Sequence, residues 1–369
     1  MPLPEFVLRF RDRMVARPEF RRWAGRFWAT RAMSRNRAAS LFDLAAGFVY
    51  SQILLACVQL DLFTILAEGP QPLARLAGRL NLSERAAEQL LEAAAALGLA
   101  QHRQGGYGLG PLGGPMVGNI AIAEMVRHHA MLYADMADPL AMLRGEGGGG
   151  RLGRFWSYAD GGRRPGLGAE DTAPYSALMA ASQPLVAAEI LDAYDFSTHR
   201  CLMDVGGGAG AFLQSAGERH PGLNLMLFDL PPVAELARAR LGAAGMAARS
   251  QCNSGDFHAD SLPRGADVIS FVRVIHDHDD DKAQALLARA RAALEPGASL
   301  ILAEPMAGTV GAEAMGAAYF NFYLHAMGSG RARRPELLME MLGRAGFGQA
   351  RMLPTATPLQ TQVIHAIAK

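Results

Sequence analysis

The chain has 369 residues, half of them hydrophobic, with a formal net charge of +1. That length predicts two domains and a core that needs neither disulfides nor metal, and the near-neutral balance gives no global case for nucleic-acid binding. Three cysteines, Cys57, Cys201 and Cys252, fit a reducing cytoplasm and neither a disulfide framework nor a zinc site.

Lysine stands only at Lys282 and Lys369, so arginine carries almost all the positive charge. With so much alanine and glycine, this reflects genomic base composition rather than phosphate recognition. The opening, MPLPEFVLRFRDRM, lacks the apolar core of a signal peptide. No run of about 18 uncharged apolar residues follows, so no membrane span is expected. Residues 1–37 are locally basic: ten arginines from Arg9 to Arg37 face only Glu5, Asp12 and Glu19, with Phe6, Phe10, Trp23, Phe27 and Trp28 interleaved. Two main readings stand for this arm, with nucleic-acid binding a distant third. One is a solvated helical arm packed on a partner subunit; the other is an interfacial helix at an anionic membrane, which would make a cytoplasmic protein peripheral to the inner membrane.

Leu41 to Ala67 carries apolar residues at helical spacing up to Gly69-Pro70. Pro72–Leu80 and Ser83–Leu97 read as short helices, the second capped by Ser83 and stopped by Gly98. LAQHRQGGYGLG reads as a two-stranded wing around Gly105-Gly106. Helix-turn-helix plus wing is the shape of many DNA readers. Yet the second helix sets Glu84, Glu88 and Glu92 against Arg85 alone, a face that repels phosphates, so a dimerisation domain is the better reading. Helices are expected over Ile120–Arg144 and Ala173–Ala193, with a glycine-rich loop from Gly145 to Gly168 between them. His128 and His129 point in different directions on their helix, which argues against a shared metal. His128 or His129, and Met131, are candidates to touch a substrate. The expected division is 1–112, 113–198 and 199–369.

From Arg200 the pattern changes to α/β. Cys201–Val205 is a buried strand containing Asp204, Gly206, Gly207, Gly208 and Gly210 form a tight turn, and Ala211–Arg219 is a helix. A second strand, Leu223–Phe228, ends in Asp229. This is the first unit of a nucleotide-cofactor fold, in which glycines let a ligand approach the main chain and a helix N-terminus. Gly206, Gly208 and Ala211 also satisfy a dinucleotide pattern, so NAD stands as an alternative. Against it, Asp204 sets a negative charge at the mouth of the loop, which repels a pyrophosphate but suits the cationic S-adenosylmethionine. Later strands are expected at Asp267–Val272, Ser299–Ala303, Gln349–Leu353 and Gln362–Ala368. Helices are expected at Lys282–Leu294, Ala312–Met327 and Pro335–Ala345.

The spacing D-x-G-G-G-x-G resembles the class I S-adenosylmethionine-dependent methyltransferases. Four further elements follow in order: GDF at Gly255–Phe257, FVRVIHDHDDD at Phe271–Asp281, LAEP at Leu302–Pro305 and RRPELL at Arg333–Leu338. With VGGGAG and FDLP, the set resembles the O-methyltransferases of the caffeic-acid and hydroxyindole type. Within that group it is similar to the bacterial carotenoid 1-hydroxy O-methyltransferases. The resemblance implies a Rossmann-like catalytic domain behind a mostly helical, winged-helix-like dimerisation domain, and a homodimer that binds no nucleic acid. It implies that Gly206, Gly208 and Gly210, with Asp204, Gly207 and Leu230, surround S-adenosylmethionine. Asp229 would hold its ribose, Asp256 and Phe257 its adenine, and Arg273 its methionine end. His276 falls on the general base and Glu304 on the carboxylate that orients it, with Asp277 beside them.

Methyl transfer needs alignment and a proton acceptor, and an imidazole with an ordinary pKa of ~6.5 is largely neutral at cytosolic pH. The histidines beside Asp277, Asp279, Asp280 and Asp281 also invite a metal reading, but acids after a strand are equally a helix N-terminus, and no metal is assigned. Glu304 has a plainer reading as a helix cap. Where plant members carry a second glutamate, Ala332 stands here, with Glu336 farther on. Met306, Tyr319, Phe320, Tyr323 and Met327 are candidates for the wall of a pocket for a small hydrophobic hydroxylated substrate, or for ordinary core. The reading is an O-methyltransferase of a carotenoid hydroxyl. Its rivals are a phenolic or polyketide acceptor, a cofactor-sensing DNA-binding regulator, and an NAD oxidoreductase.

Overall fold

The computed structural model describes residues 3–146, 150–155, 182–358 and 361–369. The expected start of the second helix at 173–181 and most of the glycine-rich loop lie outside them. The chain divides into two compact units, Met1–Asn119 and Ile120–Lys369.

In the first unit, helices Glu5–Ala16 and Pro18–Arg26 precede a long helix, Arg31–Gln59. This long helix is apolar enough, by length and composition alone, to cross a membrane, although Asp43 and Asp61 bound its uncharged stretch. It stops earlier than the apolar periodicity suggests. Asp61 takes a left-handed conformation (φ 53°), so a separate turn, Leu62–Ala67, follows. Helices Leu73–Leu80 and Glu84–Ala96 then pack through buried Leu76, Leu80 and Leu91. Ser83 caps the second by accepting the Ala86 N–H at 3.2 Å. Strands β1 (Ala100–Arg103) and β2 (Gly106–Leu109) form the wing. Glu92 belongs to it, accepting the Tyr107 hydroxyl at 2.5 Å.

The second unit begins with helix Ile120–Asp135. The expected single helix to Arg144 breaks here, because Pro139 cannot continue it and Asp138 caps a new turn, Pro139–Leu143. A seven-stranded sheet follows: β3 (Cys201–Val205), β4 (Asn224–Asp229), β5 (Ser250–Ser254), β6 (Val268–Val272), β7 (Ser299–Glu304), β8 (Phe347–Leu353) and β9 (Gln362–Ala368). Their order is β5-β4-β3-β6-β7-β9-β8, parallel as far as β7, with β9 antiparallel to both neighbours. Helices cover both faces of the sheet, as the unbroken apolar runs of parallel strands require. The chain reverses its winding between β3 and β6, and ligands bind at the carboxyl ends of strands beside such a switch point. Asp229, Arg273 and Glu304 all sit at those ends or one residue beyond.

Candidate active site

The turn after β3 has Gly206, Gly208 and Gly210 at φ 69°, 58° and 74°, a left-handed region closed to most side chains. At Gly206 a Cβ would also lie 2.9 Å from Val274 and 3.5 Å from the Phe257 ring, so glycine lets the turn pass under both. Asp229 holds the turn from the next strand. Its Oδ2 accepts the Gly208 N–H at 2.8 Å and its Oδ1 the Leu230 N–H at 2.7 Å. Burial raises its pKa to about 6 despite those two bonds.

Asp204 is not at the mouth of the loop, as expected from sequence, but fully buried beneath it. Its Oδ1 accepts the Ser270 hydroxyl at 2.6 Å. Its Oδ2 has no hydrogen-bond partner among the described residues and lies 2.5 Å from where a Gly207 Cβ would be. Burial raises its pKa to about 7, and the nearby Asp229 adds to the rise. Two buried acids thus stand under the glycine turn with only neutral donors.

On the other side of the switch point, His276 sits in a short turn after β6. Its Nδ1 bonds Glu304 Oε2 at the end of β7. Glu304 Oε1 accepts the backbone N–H groups of Val274 (3.0 Å) and Ile275 (2.7 Å), so one carboxylate fixes both the turn and the ring. It supports the histidine and, through those two N–H groups, also caps the short helix Ile275–Asp277. Asp277 Oδ1 lies 3.0 Å from His276 Nε2 but is not aligned for a hydrogen bond. Burial works against an imidazolium here. Asp277 and Glu304 outweigh it and carry the His276 pKa up to about 10, so the expected ordinary value is corrected. Glu336 is exposed in the first turn of helix Pro335–Arg344; the second carboxylate against the ring is Asp277.

Arg333 was legible only as part of a motif. Its buried guanidinium donates to the carbonyls of Ile275 (2.9 Å) and His278 (2.6 Å), which flank His276, and to Asp280 (2.9 Å). Gly330 closes the turn from outside: a Cβ there would strike the His276 carbonyl at 2.2 Å, the same carbonyl that accepts from Arg331. His278, unassigned from sequence, joins the two halves of the site. Its ring stands edge-on to Phe257 at 5.5 Å and to His258 at 4.6 Å, and burial lowers its pKa to about 3. Asp256 turns inward on its own loop, accepting from the His258 N–H at 2.8 Å. Arg273, left-handed at φ 57°, gives its guanidinium to Ser182 (2.8 Å) and Gln183 (2.6 Å).

The apolar wall divides. Phe320 stands edge-on to His276 at 6.1 Å, and Tyr319 lies 5.1 Å from Phe320. Both fall in a π-helical stretch, Met315–Phe320, which leads into helix Asn321–Met327. His128 bonds the Tyr323 hydroxyl at 2.8 Å, and the neighbouring His129 bonds Tyr319 at 2.7 Å. Burial, with a smaller push from His129, lowers the His128 pKa to about 4. Met131, Tyr323 and Met327 pack with Leu132, Leu152 and Leu324. Met306 belongs elsewhere, fully buried in the sheet core.

Residues 133–348 match the O-methyltransferase domain, and residues 42–117 the O-methyltransferase dimerisation domain. The chain is 41% identical to the demethylspheroidene O-methyltransferase of Cereibacter sphaeroides, over 96% of this chain and 93% of that one. It is 32% identical to the acetylserotonin O-methyltransferase of Mus musculus, over 87% and 88%. Among solved structures, the S-adenosylmethionine-dependent methyltransferase SibL superposes with a TM-score of 0.74 at 26% identity, covering 89% of this chain and 98% of that one.

Proposed function

The chain belongs to the S-adenosylmethionine-dependent O-methyltransferases, and from that premise we propose that its acceptor is the hydroxyl of a carotenoid. The observation that carries the chemistry is the buried pair of His276 and Glu304, set across the switch point from a glycine turn with two buried acids. The acceptor class rests on the two demethylspheroidene O-methyltransferases, at 41% and 42% identity, and on the aromatic surface that meets His276 at Phe320.

The residues fit the methyl donor. Among the described residues, Asp204 Oδ2 is a buried oxygen without a partner, Gly207 leaves room above it, and nothing stands within 4 Å of the Gly208 Cβ position. Gly206, Gly208 and Gly210 would line the donor's methionine portion and Asp229 its ribose, while Asp256 and Phe257 would meet its adenine. When bound, it supplies an electrophilic methyl group on a sulfonium. The chain's own residues do the rest. Asp204 and Asp229 offer negative charge to a cationic ligand. Arg273 ties residues 182 and 183 to the end of β6. His276 takes the acceptor's proton at Nε2 while Nδ1–H stays on Glu304. An aliphatic alcohol is a very weak acid, so its proton leaves only as the new bond forms, and the imidazolium then lies between two carboxylates. The same carboxylates that strengthen this base also keep it protonated below about pH 10, so the reacting form is the neutral fraction, which grows as pH rises.

Residues 42–117 are proposed to pair two copies of the chain. The test is turnover of labelled S-adenosylmethionine with a 1-hydroxy carotenoid against phenolic and naphthol acceptors. Methylation of the carotenoid alone is expected. Preference for a phenol would replace the acceptor and leave the enzyme class intact.

A further inference from the structure

We propose that residues 3–37 dock on the surface of an anionic lipid bilayer. Each acid of this arm is already matched: Glu5 with Arg9, Asp12 with Arg11 and Glu19 with Arg22. The remaining arginines of the arm form no ion pair among the described residues. Between them runs a chain of ring contacts: Trp23 stacks on Phe27 at 4.9 Å, while Phe20 to Trp23 at 5.6 Å and Phe27 to Trp28 at 5.9 Å are tilted. It is left in the open, with Trp23 51% and Trp28 80% exposed, and Phe6 and Phe10 on the preceding helix are 74% and 65% exposed. Arginine beside tryptophan and phenylalanine on a surface helix is the composition that lies at a lipid headgroup boundary.

Charge selects among the possible occupants. Two such arms laid together would set arginine against arginine, whereas an anionic surface satisfies both the guanidinium groups and the rings. The matched dimerisation segment starts at residue 42, so the apolar face from Phe42 to Val49 is assigned to a second copy and the arm before it to lipid. The inference rests on the acceptor reading above in one respect: a long apolar acceptor resides in bilayers, and an arm that lies on one brings the site to it.

The full chain is sedimented with vesicles of phosphatidylcholine, alone or mixed with phosphatidylglycerol. Binding to the mixed vesicles only is expected, weakened by salt. The triple variant Arg13→Gln, Arg17→Gln, Arg21→Gln should lose about fivefold per arginine, on the order of a hundredfold in all. Trp23→Ala with Trp28→Ala should weaken binding without changing its salt dependence. Both variants should keep wild-type turnover on detergent-dispersed acceptor, which shows that they fold. No binding to anionic vesicles overturns the proposal, as does a triple variant that binds as wild type or that changes oligomeric state without changing vesicle binding. Turnover of the dispersed carotenoid without vesicle binding rejects the docking and keeps the acceptor. Vesicle binding without carotenoid turnover does the reverse.

Discussion

The switch point of the sheet has two buried pairs of acids, and they are balanced differently. Glu304 and Asp277 have a counter-charge within reach whenever His276 is protonated, because its ring lies between them. Asp204 and Asp229 have none: a serine hydroxyl and two backbone N–H groups are their donors, and both are pushed toward the neutral form. Unpaired buried charge is costly, so the second pair is stabilised by whatever cation arrives. One side of the cleft stores a base. The other reserves a place for a positively charged ligand.

Separating the two sides should be possible by mutation. His276→Ala should reduce kcat by about 10²–10⁴-fold while leaving the calorimetric Kd for S-adenosylmethionine unchanged. A normal kcat would remove the histidine from the chemistry. Arg333→Gln should cost kcat about 10- to 100-fold through a displaced His276 turn, with donor affinity again preserved and partial rescue in Arg333→Lys. Equal loss of donor binding would mean general unfolding instead.

Asp204→Asn probes the opposite side. Its carboxyl has a higher pKa folded than unfolded, so ionising it costs stability as pH rises from about 4 toward 7. The variant should melt higher than wild type at pH 8, by up to about 4 kcal/mol, and lose that advantage in acid. It should also bind S-adenosylmethionine more weakly. A variant with unchanged melting and unchanged affinity would end the idea of a reserved cation place. The smallest effect is expected from Asp277→Asn. Losing an anion beside the imidazolium lowers the His276 pKa, so the rise of kcat with pH should begin roughly one unit lower.

Much of this was legible in the chain because strand ends are short-range features. An apolar run followed by glycines, or ending in Asp229 or Glu304, fixes its own position along the sheet edge. Helix limits set by single residues were harder: Asp61 breaks a helix whose apolar periodicity continues past it, and Pro139 starts a new turn inside another. Contacts across long sequence distances were not legible at all. Nothing in the spacing indicates that Arg333 grips carbonyls 55 and 58 residues upstream, or that His129 meets Tyr319. The burial of Asp204 is of the same kind, since it depends on Ser270 lying alongside. Glu336 shows the converse: its place near a motif left open whether it supplies the second carboxylate, and its exposed position on a helix sets it apart from the buried ring.

The strand written last among those described, β9, is inserted between β7 and β8. While the polypeptide is being made, β7 must therefore wait with a raw apolar margin and β8 without a neighbour. Completion of the sheet in the half that performs the chemistry thus waits until β9 emerges, an interval in which a chaperone has most to protect.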